Sequence, residues 1–339
     1  MRYFLSLCLL LLTSCGAKKP ELHIYSWADY IKPEIVEEFE REHNCIVVID
    51  TFDSNESMYA KLRLGGGGYD IIVPSNYFLE IMQHADMLQP INKEALPNLK
   101  YLSPSITKLV DKESMRVGVP YMMTPTGLAW RKDKLVDFNP SWSVFALQTL
   151  KGRMTMLNDP REAIGAALKY LGYSVNTKNP EELEFAKQQL ISWKGQLAKF
   201  ESEQYKNGIA SGEYIVVQGY SGDILQVMQE NDSVDFGLPK EGTTTSIDFL
   251  VIPKEAEKVA LAHEFINFLY DPKVASMNMD FTCYLCPNSE ALKLIDNRLK
   301  GVFSGFLEDE TLEKIEIIRD LGATSEAYNK VWDEVKAAK

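Results

Sequence analysis

The chain has 339 residues, 45% of them hydrophobic and 25% charged, with a formal charge of −12 at pH 7. That length and apolar content support two hydrophobic cores and exclude a disordered chain. The acidic balance argues against nucleic acid as a partner, because a phosphate backbone is held by an excess of Lys and Arg.

The N-terminus, "MRYFLSLCLLLLTSCGAKKP", carries one Arg, an apolar run from Tyr3 to Leu12, and then Thr13, Ser14 and Cys15. The run is too short to span a bilayer and has the layout of a secretory signal. Small residues before Cys15 and Gly16 after it resemble the bacterial lipobox, in which cleavage leaves the Cys as a lipid-modified first residue. Residues 1–14 are therefore expected to be a signal peptide. Residues 15–20 would be a lipidated Cys15 and a tether holding an otherwise soluble protein to a membrane.

From Glu21 onward the pattern alternates. "ELHIYSW" and "CIVVIDTF" predict strands, and "KPEIVEEFEREHN" between them predicts a helix starting at Pro33, with Ile35, Val36 and Phe39 on one face. "ESMYAKLRL" predicts a helix, "YDIIVPS" a short buried strand and "NYFLEIMQHADML" another helix. Strands and helices alternating through short loops predict a parallel sheet covered on both faces, which binds ligands beyond the carboxyl ends of its strands. Asp29, framed by Trp27 and Tyr30, and Ser75 both stand at that address. Asp29 alone has two readings: a helix cap, or a carboxylate beside ring faces that would take a cation. Gly65 to Gly68 run from helix to strand, the reverse of a phosphate loop, and predict a turn.

A second α/β block follows. "GRMTMLND" predicts a strand, "PREAIGAALKYLGY" a helix from Pro160, and "PEELEFAKQQLISWKGQLAKF" a helix after Asn179. "GEYIVVQGYSGDI" predicts a strand running into a loop, "SIDFLVIP" a strand, and "KEAEKVALAHEFINFLY" and "DPKVASMNM" two helices. Asp159, Asp223 and Asp248 stand at or beside strand ends. "CYLC" at Cys283 to Cys286 has the spacing of half a zinc site, but no second pair exists and the four histidines are scattered, so no metal or other cofactor is expected. A local disulfide or two unpaired thiols are the readings left for it. No GxSxG, HExxH or Walker sequence is present, so the sequence does not predict an enzyme.

In order and spacing, "YSWADYI", "FDSNESMYAKL", "YDIIVPSNYF", "NDPREA", "GYSGDI" and "IDFLVIP" resemble the periplasmic spermidine/putrescine-binding proteins of ABC importers, the PotD/PotF family. The resemblance spans nearly the whole mature chain. It implies an α/β, two-lobe type II periplasmic-binding-protein fold with the ligand cleft between lobes that close on binding. The implied lobes are 21–126 with 248–290, and 127–247 with 291–339. By motif, the ligand-binding residues would be Trp27, Asp29, Tyr30, Ser75, Tyr77, Asp159, Glu162, Tyr220, Asp223, Asp248 and Tyr284. Tyr220 stands where the family has a stacking Trp, and Asp223 follows as in the putrescine-binding branch. Ser246 replaces a common aromatic, and Ile318 aligns loosely with a glutamine of the spermidine branch.

A polyamine carries fixed positive ends joined by an apolar chain, so separated carboxylates with an aromatic lining suit it. Each ammonium–carboxylate contact near 4 Å is worth ~4 kcal/mol at an effective dielectric near 20, before desolvation. The implied function is an extracytoplasmic lipoprotein, anchored through Cys15 on the periplasmic side of a bacterial membrane, that captures putrescine or spermidine and hands it to ABC permease subunits as a monomer. Asp223 and the short Asp29 tilt the reading towards putrescine. The alternatives are a receptor for another small cationic or zwitterionic solute on the same fold, or a surface-adhesion lipoprotein.

Overall fold

The computed structural model describes residues 18–338. The signal-peptide and Cys15 assignments lie outside the described residues. The first block runs β1 (Glu21–Trp27), α1 (Pro33–His43), β2 (Ile46–Phe52), α2 (Asn55–Arg63), β3 (Ile71–Ile72) and α3 (Asn76–His84), followed by two short helices, α4 (Pro104–Leu109) and α5 (Ser114–Val117). β1 lies between β2 and β3, parallel to both, as the alternation predicted. Ile24, Ile71 and Ile72 are fully buried, so this sheet is covered on both faces.

Two long strands join the halves of the molecule. β4 (Gly118–Arg131) pairs antiparallel along its first half with a later strand, β9 (Thr243–Val251), and β9 pairs antiparallel with β3. The second half of β4 enters another sheet. That sheet is built from β5 (Met154–Met156), α6 (Pro160–Tyr170), α7 (Pro180–Lys194), β6 (Lys199–Phe200), α8 (Tyr205–Ser211), β7 (Val216–Tyr220), α9 (Ser221–Glu230) and β8 (Val234–Gly237). The strand order across the molecule is β2-β1-β3-β9-β4-β7-β5-β6, with β8 also on β4. After β9 come α10 (Val259–Leu269), α11 (Pro272–Thr282), α12 (Asn297–Phe306), α13 (Asp309–Leu312), β10 (Ile315–Ile317) and α14 (Ser325–Ala337). β10 adds in parallel to Thr243–Thr245 of β9.

The hydrophobic residues form two clusters. One surrounds the first sheet and includes Ile24, Phe39, Phe249 and Phe265; it continues to Ile224 of α9 and Phe303 of α12. The other packs α6, α7 and α14 on the second sheet through Trp142, Leu168, Trp193 and Trp332. Among the described residues no helix is long and apolar enough to cross a membrane.

Three stretches differ from expectation. Beyond Tyr220 the chain enters α9 rather than a loop, with Ile224, Leu225 and Met228 buried at helical spacing. The helix after Asn179 stops at Lys194, and Lys199–Phe200 pair as a strand with β5. β4 is a third difference, since its Pro120 and Pro125 argue against a central strand; the register shifts beside Pro120, which accommodates one of them.

Candidate functional site

Asp248 is the centre of the site. It lies on β9 next to β4, where the two sheets meet, and is only 6% exposed. Its two carboxylate oxygens accept from neutral donors, the Tyr30 hydroxyl and, at 2.6 Å, the Ser75 hydroxyl. Burial pushes the carboxyl up to about 6, against the downward pull of those hydroxyls. The environment therefore leaves an ionised Asp248 under-compensated, which suits it to an incoming cation.

Each donor is held in turn. Ser75 follows β3, and Asn55, the first residue of α2, both accepts from its backbone N–H (3.1 Å) and donates to its hydroxyl (3.1 Å). Asn55 also donates to the Tyr77 hydroxyl at 3.0 Å, so one buried amide sets two side chains. Tyr30 is fixed through its carbonyl, which accepts from Tyr121 at 3.1 Å and from Asn278 of α11 at 3.2 Å. The Asn278 side-chain oxygen, Oδ1, accepts from the Lys32 N–H (2.8 Å), tying down the turn that precedes α1.

A second pair of carboxylates stands at the start of α6. Asp159 caps that helix, accepting from the N–H groups of Arg161 (2.8 Å) and Glu162 (3.1 Å). Glu162, 3% exposed, accepts from the Thr244 hydroxyl at 2.5 Å. The small residues of "EAIGAAL" let α6 come this close to β9: a Cβ on Gly165 would lie 2.6 Å from Thr244 Cγ2. Burial raises both carboxyls, and the Asp159 charge raises Glu162 further. The Tyr220 hydroxyl and the Arg161 charge favour the ionised form of Asp159.

Asp223, in the first turn of α9, forms a third cluster. It accepts from the Tyr205 hydroxyl at 2.6 Å and the Tyr284 hydroxyl at 3.1 Å, and the Lys206 ammonium is 3.4 Å away. The Tyr284 ring lies against the backbone of α9, where a Cβ on Gly222 would come within 2.6 Å of it. Tyr284 meets Tyr30 edge-on at 5.7 Å. A continuous path thus runs from Asp223 through Tyr284 and Tyr30 to Asp248, Ser75, Asn55 and Tyr77, with Tyr220 and Asp159 beside it.

The structure brings Tyr30, Ser75, Tyr77, Asp159, Glu162, Tyr220, Asp223, Asp248 and Tyr284 to one region. Trp27 is half-buried and packs on Phe52, ring centres 4.5 Å apart. Asp29 is exposed, in a turn with φ of 52°, and makes no hydrogen bond or ion pair among the described residues. It is not a helix cap, since Lys32 holds that position for α1. Ser246 is half-buried on β9, and Ile318 is buried, its carbonyl accepting from Asn76 at 2.5 Å. Cys283 and Cys286 are buried and unpaired, and burial pushes each thiol up to about 12. Asn55, Tyr205 and Lys206 were not singled out from the sequence, although Asn55 lies inside the quoted "FDSNESMYAKL". A separate cavity of about 340 Å³, lined by Lys18, Glu21, His23, Asp70 and Lys258, sits at the opposite end of β1.

The family described as bacterial extracellular solute-binding protein matches residues 34–298. The chain is 34% identical over 344 residues to the putrescine-binding periplasmic protein SpuD of Pseudomonas aeruginosa, covering 96% of this chain and 94% of that protein. The spermidine/putrescine ABC transporter substrate-binding protein PotD of Streptococcus pneumoniae aligns with a TM-score of 0.87 at 26% identity, covering 94% of this chain and 99% of that one. The TpPotD lipoprotein of Treponema pallidum aligns with a TM-score of 0.84 at 32% identity, covering 93% and 99% respectively.

Proposed function

We propose, from the premise that this chain belongs to the bacterial extracellular solute-binding proteins, that it captures a polyamine between its lobes and delivers it to an ABC importer, with putrescine preferred over spermidine. The observation that carries this reading is Asp248, a buried carboxylate on β9 beside β4 that, among the described residues, is held only by neutral hydroxyls. An ammonium group there would supply the charge compensation that Tyr30 and Ser75 do not. Asp159 and Glu162 supply a second anionic pole. Tyr77, Tyr220 and Tyr284 offer ring faces for the methylenes, each worth roughly 0.5–2 kcal/mol where a ring faces an ammonium head. No bond is made or broken in this role.

The lobes in this reading are 21–126 with 248–290, and 127–247 with 291–339. The division is supported by β4 and β9 each pairing in both halves, and by α14 packing on α6 and α7. The mature chain would begin at a lipidated Cys15 on the periplasmic side of a bacterial membrane and act as a monomer; the "TSCG" pattern supports the anchor.

The test is calorimetric titration of a soluble form starting at Gly16 with putrescine and spermidine, at low and physiological salt, with a neutral sugar and an amino acid as controls. Saturable one-to-one binding of an amine that survives physiological salt is expected. Heats that vanish with salt would mean that only the acidic surface attracts amines, and would overturn the reading. Tight binding of the amino acid alone would replace the ligand.

A further inference from the structure

Among the described residues, Lys206 is the one Lys or Arg that forms an ion pair with a carboxylate of the cleft. It is the second residue of α8, its side chain is 38% exposed, and its ammonium stands 3.4 Å from Asp223 Oδ1. It makes no other ion pair among the described residues. The same carboxylate already receives the hydroxyls of Tyr205 and Tyr284. Asp223 thus differs from Asp248, which receives hydroxyls only. Arg161, which follows Asp159, donates to the Arg319 carbonyl and the Asn176 side chain and lies over the Tyr328 ring, so it is committed to the fold.

We propose that Lys206 is a specificity-determining residue: an internal counter-cation that neutralises Asp223 and so limits how much positive charge the cleft accepts from its ligand. The proposal rests on the polyamine reading. A charge inside or beside the cleft acts on every positive centre of the ligand at once, so its effect grows with ligand charge whatever the pose. Lys206 opposes a triamine more than a diamine. The side chain is long and half-exposed, so its removal leaves Asp223 hydrogen-bonded to two tyrosines, with access to water.

The experiment compares wild type with Lys206→Met, which keeps the length and loses the charge, and Lys206→Arg, which keeps both. Each is titrated with putrescine and with spermidine at two salt concentrations, after thermal unfolding has established that it folds. Lys206→Met should tighten spermidine more than putrescine, changing the affinity ratio by roughly threefold or more at low salt and by less at high salt, as expected of a partly screened charge. Lys206→Arg should keep the wild-type ratio. An unchanged ratio in folded Lys206→Met, or an equal change in Lys206→Arg, would overturn the proposal while leaving the polyamine reading intact. A wild-type protein that binds neither amine would overturn both.

Discussion

Two carboxylates at the same cleft, Asp248 and Asp223, are both held by tyrosine hydroxyls and differ in what else reaches them. Asp248 has Tyr30 and Ser75 and, among the described residues, no cation, and burial raises its carboxyl to about 6. Asp223 has Tyr205, Tyr284 and the Lys206 ammonium. An acidic residue beside a ligand cleft is not in itself a ligand site; what counts is whether its charge is already answered. Asp248 is the unanswered one, and the chain of support beneath it (Asn55 on Ser75, Asn278 on the Tyr30 backbone) fixes its geometry before a ligand arrives.

The sharpest way to break this contrast is to neutralise each carboxylate in turn. Asp248→Asn should weaken putrescine binding by about tenfold or more, because it removes one partner of a buried ion pair. Asp223→Asn should cost less, since Asp223 already has the Lys206 ammonium 3.4 Å away and is not the carboxylate that receives the ligand's ammonium. Isothermal titration of both variants measures the difference, and equal losses would erase the distinction.

Acidity gives the next largest effect. Burial pushes Asp248 up to about 6, above the usual carboxylate range, and raises Glu162 as well. A bound ammonium favours the ionised carboxylates, so binding must expel any protons they hold. Affinity should therefore fall as pH drops from 7.5 to 5.5, with proton release growing over that window. Calorimetry in buffers of different ionisation enthalpy reads the proton count. In Asp248→Asn the portion of the slope near pH 6 should disappear; persistence of the full slope would assign it elsewhere.

A smaller change is expected from Asn55→Ala. Its amide orients Ser75 and Tyr77 and touches no ligand in this account. Affinity should drop severalfold and the melting temperature should fall as well, since the Ser75 N–H loses its acceptor; a lost buried hydrogen bond costs about 1–3 kcal/mol. Asn55→Asp, which preserves the acceptor, should recover part of the stability.

Much of this was legible in the sequence, for identifiable reasons. The parallel β1-β2-β3 block follows from short apolar runs separated by amphipathic helices, and Asp248 stood out within "IDFLVIP". β4, one of the two strands that join the halves, was not legible, because Pro120 and Pro125 speak against it locally and its pairing with β9 is a long-range fact. α9 was missed since "YSGDI" looks like a turn until Ile224, Leu225 and Met228 are seen buried together. The donors that separate Asp223 from Asp248 were invisible for the same reason: Tyr205 and Lys206 are 18 and 17 positions from Asp223 and carry no motif.

The central claim is that an amine binds with its ammonium on Asp248. A crystal structure of the soluble chain grown with putrescine tests it most directly. The expected result is a diamine enclosed between the lobes, with one nitrogen within hydrogen-bond distance, roughly 2.7–3.2 Å, of the Asp248 carboxylate. A diamine bound elsewhere on the acidic surface, or in the cleft with Asp248 still held only by Tyr30 and Ser75, would contradict it.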